Sequence, residues 1–160
     1  DEFRVERSIS IKASPEKVFA LIDDLRAFSA WSPYEKIDPA MRRSYSGPAS
    51  GAGAAYAWEG NDQIGQGRME IIRSTPPSSV LIQIDFLRPV EAHNTVAFTL
   101  APESGGTTVT WAMFGPAPFL TRVITVFFSM DDMVGAQFAE GLADLKRLAE
   151  KPEPAAAGAV

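Results

Sequence analysis

Three features of the sequence predict an α+β fold: a curved, seven-stranded antiparallel sheet closed by a long C-terminal helix, with a short helix pair after the first strand. From Met41 to Pro116 short segments of alternating apolar and polar residues are separated by Gly, Pro, Asn and Asp clusters, as strands joined by tight links would be. From Pro118 to Glu150 the period changes. Val123, Phe127, Met130, Val134, Gly141, Leu145 and Leu148 recur at the three-to-four spacing of one buried helical face. A capped helix start at Ser14 follows the first alternating stretch directly. The order strand, helix pair, six strands, long helix places the helices on one face of an antiparallel meander.

The first strand is carried by Phe3, Val5, Ile9 and Ile11, whose odd parity is broken only at Arg7. Ser14-Pro15-Glu16-Lys17 then supplies an N-cap, a proline at the first helical position and an acid in the first turn. Val18, Phe19, Leu21, Ile22 and Leu25 give that helix pair its apolar face as far as Phe28, and Trp31-Ser32-Pro33-Tyr34 reads as a loop. Six further strands follow: Ser44 to Gly47, Ala55 to Glu59, Ile64 to Ser74, Val80 to Leu87, Glu91 to Leu100 and Thr107 to Phe114. The closing helix is expected to break between Phe128 and Gly135, where Ser129 and Asp132 form a weak cap signature and Gly135 is a poor helix former. Its first piece, Phe119 to Phe128, is apolar on most sides and would bury more than one face, as a lid, at a subunit contact or against a membrane.

The bulk numbers narrow the function classes. A chain of 160 residues with 46% hydrophobic and 22% charged residues suits one globular domain, here 1–151, followed by a frayed tail, 152–160. A net charge of −5 and a pI near 4.9 disfavour nucleic acid, whose binders carry a basic stripe. The absence of Cys excludes disulfides and thiolate chemistry, and a single His removes His-pair metal sites, so neither metal nor cofactor is expected. No apolar run in the chain reaches the roughly eighteen residues of a membrane span.

Parity tells which side chains face a space between sheet and helix. Val80, Ile82, Ile84 and Phe86 share one side, as do Asn94, Val96, Phe98 and Leu100, and Val109, Trp111 and Met113. Asn94 is an amide on an apolar face and needs a partner. His93 has the pKa of a general base, but its opposite parity puts it on the convex side unless Pro89 introduces a bulge. Tyr56 and Trp58 share a parity that Glu59 does not, and only one of these sets can point inward. Arg88 ends the inward row of its strand, either as a ligand contact or as a solvated strand end. Trp31 and Tyr34 stand where a cavity mouth would be, to stack on a ligand or to anchor the loop. Phe127, Met130 and Met133 read as an adaptable apolar wall or as plain core, and Asp131 and Asp132 as solvated helix charges.

Taken together, several stretches resemble the polyketide cyclase/dehydrase-like branch of the START-like (SRPBCC) superfamily. They are Ser14-Pro15-Glu16-Lys17-Val18-Phe19, Trp31-Ser32-Pro33-Tyr34-Glu35-Lys36, Trp58-Glu59-Gly60-Asn61 with Gly65-Gln66-Gly67-Arg68-Met69, Gly106 to Trp111, and Met130 to Gly135 with Phe138 and Gly141-Leu142. The resemblance implies a helix-grip fold with a deep apolar cavity. Its members include aromatase/cyclases and lipid or hormone carriers. The expected function is binding of a lipid- or polyketide-like molecule by a monomer or weak dimer. Two alternatives stay open: a cyclase/aromatase enzyme, and an interaction module using the apolar 119–128 arm. The resemblance also implies that relatives with these motifs often carry a hydrophobic segment before the first strand, so the expected location is either cytoplasmic or membrane-tethered through such a segment.

Overall fold

The computed structural model describes residues 2–88, 91–116 and 120–152, with the side chains of 120–131 excepted. Expectations for Phe119, for the side chains of Phe127, Met130 and Asp131, for a bulge at Pro89 and for the end of the tail lie outside the described residues. The elements are β1 (Glu2–Ile11), α1 (Pro15–Asp23), α2 (Leu25–Ser29), a 3₁₀ turn (Pro33–Lys36), β2 (Arg42–Ser46), β3 (Ala55–Glu59), β4 (Gln66–Thr75), β5 (Ser79–Arg88), β6 (Ala92–Glu103), β7 (Gly106–Pro116) and α3 (Leu120–Glu150).

All seven strands form one sheet in the order β1-β7-β6-β5-β4-β3-β2, and every pairing is antiparallel. Strands β2 to β7 are the expected meander. β1 is not beside β2; it pairs with β7 at the opposite edge, from Glu2↔Pro116 to Ile11↔Thr107, so α1, α2 and the turn carry the chain across the concave face. The β4/β5 ladder carries two register shifts, at Gln66/Gly67 and Ile71/Arg73, the kind of irregularity at which a strand bends and twists more strongly.

Three capped starts fix the crossing. The Ser14 hydroxyl accepts from the Lys17 amide at 3.2 Å, the Asp24 carboxylate from Arg26 at 2.9 Å and Ala27 at 3.3 Å, and the Ser32 hydroxyl from Tyr34 at 3.3 Å. The loop expected at Trp31–Tyr34 therefore contains one helical turn, begun by Pro33 directly after its cap.

α3 runs unbroken through the expected break, about 46 Å of helix at 1.5 Å per residue. At Gly135 the helix lies beside the Arg7 guanidinium, the far end of a long side chain, which is what an added Cβ would meet first. The far end of α3 is tied down. Glu150 accepts from the Lys12 amide at 2.7 Å and pairs with Lys146, Lys17 donates to the Lys151 carbonyl at 2.8 Å, and Lys36 bridges to Asp144 at 3.0 Å. Phe138, Leu142, Leu145 and Ala149 form the buried stripe of this half.

The core is centred on Trp111. Phe138 of α3 lies flat on its ring at 4.0 Å between centroids, Phe98 stacks at 5.1 Å, and Trp31 and Phe28 meet it edge-on at 5.5 and 6.0 Å. Gly141 permits this approach, because a Cβ there would sit 2.8 Å from Pro33 and 2.9 Å from the Trp111 ring.

Candidate ligand cavity

Trp111 and Phe138 fill only part of the space between sheet and helix. Beside them lies a cavity of about 200 Å³. The strands β4 to β7 contribute apolar wall: Met69, Ile82, Ile84, Phe86, Val96, Trp111 and Met113. Polar groups come from elsewhere. Ser32 at the cap of the 3₁₀ turn, Tyr34 and Glu35 within it, Tyr56 from β3 and Gln137 from α3 also border the cavity, whose open surface is nonetheless almost wholly apolar.

The wall at β3 follows from register. Tyr56 faces Met69 and Trp58 faces Gly67 across the β3/β4 ladder. Gly67 has to be glycine, since a Cβ would fall 2.5 Å from the Trp58 ring that lies over it. The Trp58 indole N–H donates to the Ile64 carbonyl at 3.1 Å, and its ring meets Phe86 edge-on at 5.9 Å. The parity question is thus decided: Tyr56 and Trp58 point inward, Glu59 outward.

Glu35 is the group that the sequence reading passed over. One carboxylate oxygen accepts from the Tyr56 hydroxyl at 2.9 Å and the other from the Arg43 Nε at 2.7 Å, with 15% of the Glu35 side chain exposed. Arg43 is held on the outer side by the Met41 and Pro39 carbonyls at 2.9 and 3.3 Å. Burial, then the neighbouring Glu35 charge, pushes the Tyr56 phenol well above its ordinary range, and burial does the same to Tyr34. The hydrogen bond to Glu35 raises Arg43 in turn. Tyr45 stacks on Tyr56 at 4.9 Å between centroids and is itself fixed through its hydroxyl to Ser29 at 2.9 Å and by the Arg26 guanidinium over its ring at 4.1 Å. The polar corner is therefore built from behind.

Of the cavity candidates read from the sequence, Tyr34, Tyr56, Trp58, Trp111 and Met113 line the lumen together. Trp31, 1% exposed, does not reach it; its N–H donates to the Leu21 carbonyl at 2.9 Å and its ring packs behind Trp111. Phe98 is fully buried, stacked on Trp111 and edge-on to Trp31, and does not line the cavity either. Asn94 is buried at the sheet end, its amide over Gly115 and 3.9 Å from the Met113 sulfur, outside the lining. Arg88 lies on the surface against Gln66 at 3.2 Å and Glu59 at 3.8 Å, because the strand runs past the cavity before it ends. Met133 is 61% exposed, on the face of α3 turned from Phe138. His93 is on the convex face with Asp85 at 2.7 Å and Glu91 at 3.1 Å. Among the described residues no group of three or more His, Cys, Asp or Glu is placed to hold a metal.

Comparison with known proteins supplies what geometry cannot. No curated protein sequence matches the chain closely enough to count as a relative. Among solved structures, protein CV1439 from Chromobacterium violaceum is similar with a TM-score of 0.66 at 15% identity, over 93% of this chain and 98% of that one. The di-domain ARO/CYC StfQ from the steffimycin biosynthetic pathway is similar with a TM-score of 0.69 at 11% identity, over 93% of this chain and 51% of StfQ. The Aha1 dimer from Colwellia psychrerythraea gives 0.64 at 18% identity, over 94% and 98%. At these identities the likenesses establish the helix-grip fold. Residues 2–150 also match the family described as polyketide cyclase / dehydrase and lipid transport, and that match covers nearly the whole chain, so the protein belongs to this family.

Proposed function

We propose that the protein binds a small amphipathic molecule between its sheet and α3, apolar part against β4 to β7 and polar part at the Glu35–Tyr56 corner. The observation that carries this reading is the lined hollow itself: about 200 Å³ left open inside a core otherwise packed ring on ring. Interiors are normally filled to crystal density, so a void of this size costs stability unless something occupies it. The volume sets the scale of the guest. An apolar cavity of roughly 150 Å³ accepts benzene, whereas drug-sized ligands need about 300–1,000 Å³, so one or two rings or a short chain would fit.

Native mass spectrometry of protein purified from cells tests this. Adducts that survive gentle ionisation and leave on denaturation are expected; bare protein only, together with no binding of small aromatic probes, would remove the proposal.

A second reading has one observation in its favour. A carboxylate and a phenol, Glu35 and Tyr56, stand in hydrogen-bond contact at the cavity wall, the minimum that proton transfer to and from a keto chain requires. On this cyclase reading Glu35→Gln abolishes turnover of a polyketide-like substrate without loss of fold, and unchanged turnover excludes it.

A further inference from the structure

The charges around the cavity restrict its guest further, and this inference rests on the binding proposal above. Among the described residues Glu35 is the one acidic side chain in the lining, and no Lys, Arg or His belongs to that lining. The counterion of Glu35 is on the outside: Arg43 presents its Nε to the carboxylate and its Nη1 to the Met41 and Pro39 carbonyls. Each Glu35 oxygen accepts one hydrogen bond from the protein, from Arg43 and Tyr56, which leaves acceptor capacity on both. The Tyr56 hydroxyl spends its proton on Glu35, which leaves its oxygen as an acceptor.

We propose that the cavity selects an uncharged guest carrying a hydroxyl group, donated to Glu35 beside Tyr56, and rejects free carboxylic acids. A guest carboxylate at this corner would shed its hydration in an apolar pocket where, among the described lining residues, no cation faces it, the Arg43 charge being already spent on Glu35. Attraction for a cationic guest is small because Arg43 already neutralises Glu35 at 2.7 Å. An alcohol or phenol suffers no such penalty and can donate to the acceptor capacity left on Glu35. A fatty acid, the simplest guest for an apolar cavity, is thereby the wrong one.

Three probes of nearly equal size separate the terms: para-ethylphenol, para-ethyltoluene and para-ethylbenzoate, titrated by calorimetry into the whole protein at neutral pH. The phenol is expected to bind about tenfold tighter than the toluene, and the benzoate about tenfold weaker than the toluene. In Glu35→Gln the benzoate-to-toluene affinity ratio should rise about tenfold, since the Arg43 charge is then uncompensated and the amide can donate. Should that variant not fold, the wild-type series still decides. Benzoate binding as tightly as the phenol, or phenol no tighter than toluene, overturns the inference and leaves the cavity proposal standing; binding of none of the three removes both.

Discussion

Tyr56 shows how one side chain serves both packing and the site. Its ring is stacked on Tyr45 and its hydroxyl is committed to Glu35 at 2.9 Å. Tyr56→Phe keeps the ring and deletes a hydrogen bond to a charged acceptor, so it should lower stability by about 1.5 kcal/mol in urea unfolding. The raised phenols also make an alkaline prediction. A folded state that holds its phenolic protons after the unfolded chain has begun to lose them, above a pH of about 10, loses stability as pH rises. Tyr34→Phe should flatten this decline, measured as unfolding midpoint against pH; an unchanged slope would remove Tyr34 as its source. On the convex face the first cause of the raised His93 pKa is its hydrogen bond to Asp85, and of the lowered Asp85 pKa the same bond. The stability from His93 is complete below about 6.5 and fades as pH rises through its folded value, while that from Asp85 is complete above about 3.9 and fades as pH falls. The His93 ring titration followed by NMR should have a midpoint above the ordinary one, and Asp85→Asn should bring it down. Glu35 was illegible in the sequence for a residue-scale reason: it lies in a turn, where no period tells which way a side chain points. The readable signal was Ser32-Pro33, a cap and first position that fix a helical turn and hence the direction of the residues after it.

Among elements, strands were more legible than the long helix. Alternation fixed the inward sets of β5, β6 and β7 because a strand has a period of two and one buried face. It could not say that Asn94 and Arg88 lie beyond the cavity, since parity gives the side and not the distance along the strand. In α3 the glycine at position 135 was read as a break, whereas the helix runs through it without interruption. Propensity of a single residue, about 1 kcal/mol, is outweighed by the packing of a helix on a sheet. The two helix glycines should therefore differ. Gly141→Ala drives a methyl group against Pro33 and the Trp111 ring, neither of which can move without disturbing the aromatic stack, and should cost about 1–3 kcal/mol. Gly135→Ala meets only the end of a flexible Arg7 side chain and recovers helix propensity, so thermal unfolding should show a smaller loss or none. Equal losses would mean that Arg7 is held as firmly as the ring stack.

At the scale of the molecule, order and spacing of elements gave the architecture, because a meander followed by one amphipathic helix has few ways to bury both faces. Those same elements leave the volume of the hollow undetermined, since it depends on ring orientations such as Phe138 flat on Trp111. Val96 offers a direct test of what the hollow is for. It stands in the lining on β6, paired with Ile82 on one side and Met113 on the other, so a larger side chain there enters the lumen and not a packed layer. In an ordinary core Val96→Phe would force neighbours off their rotamers and cost about 1–3 kcal/mol. In a true void the added ring replaces missing contacts, and stability should hold or rise while co-purifying adducts and probe binding disappear. A destabilised variant that still binds would mean that the space is closed in solution and that guests sit elsewhere. A stable variant that no longer binds would show that the fold gives up packing density at this place to hold something.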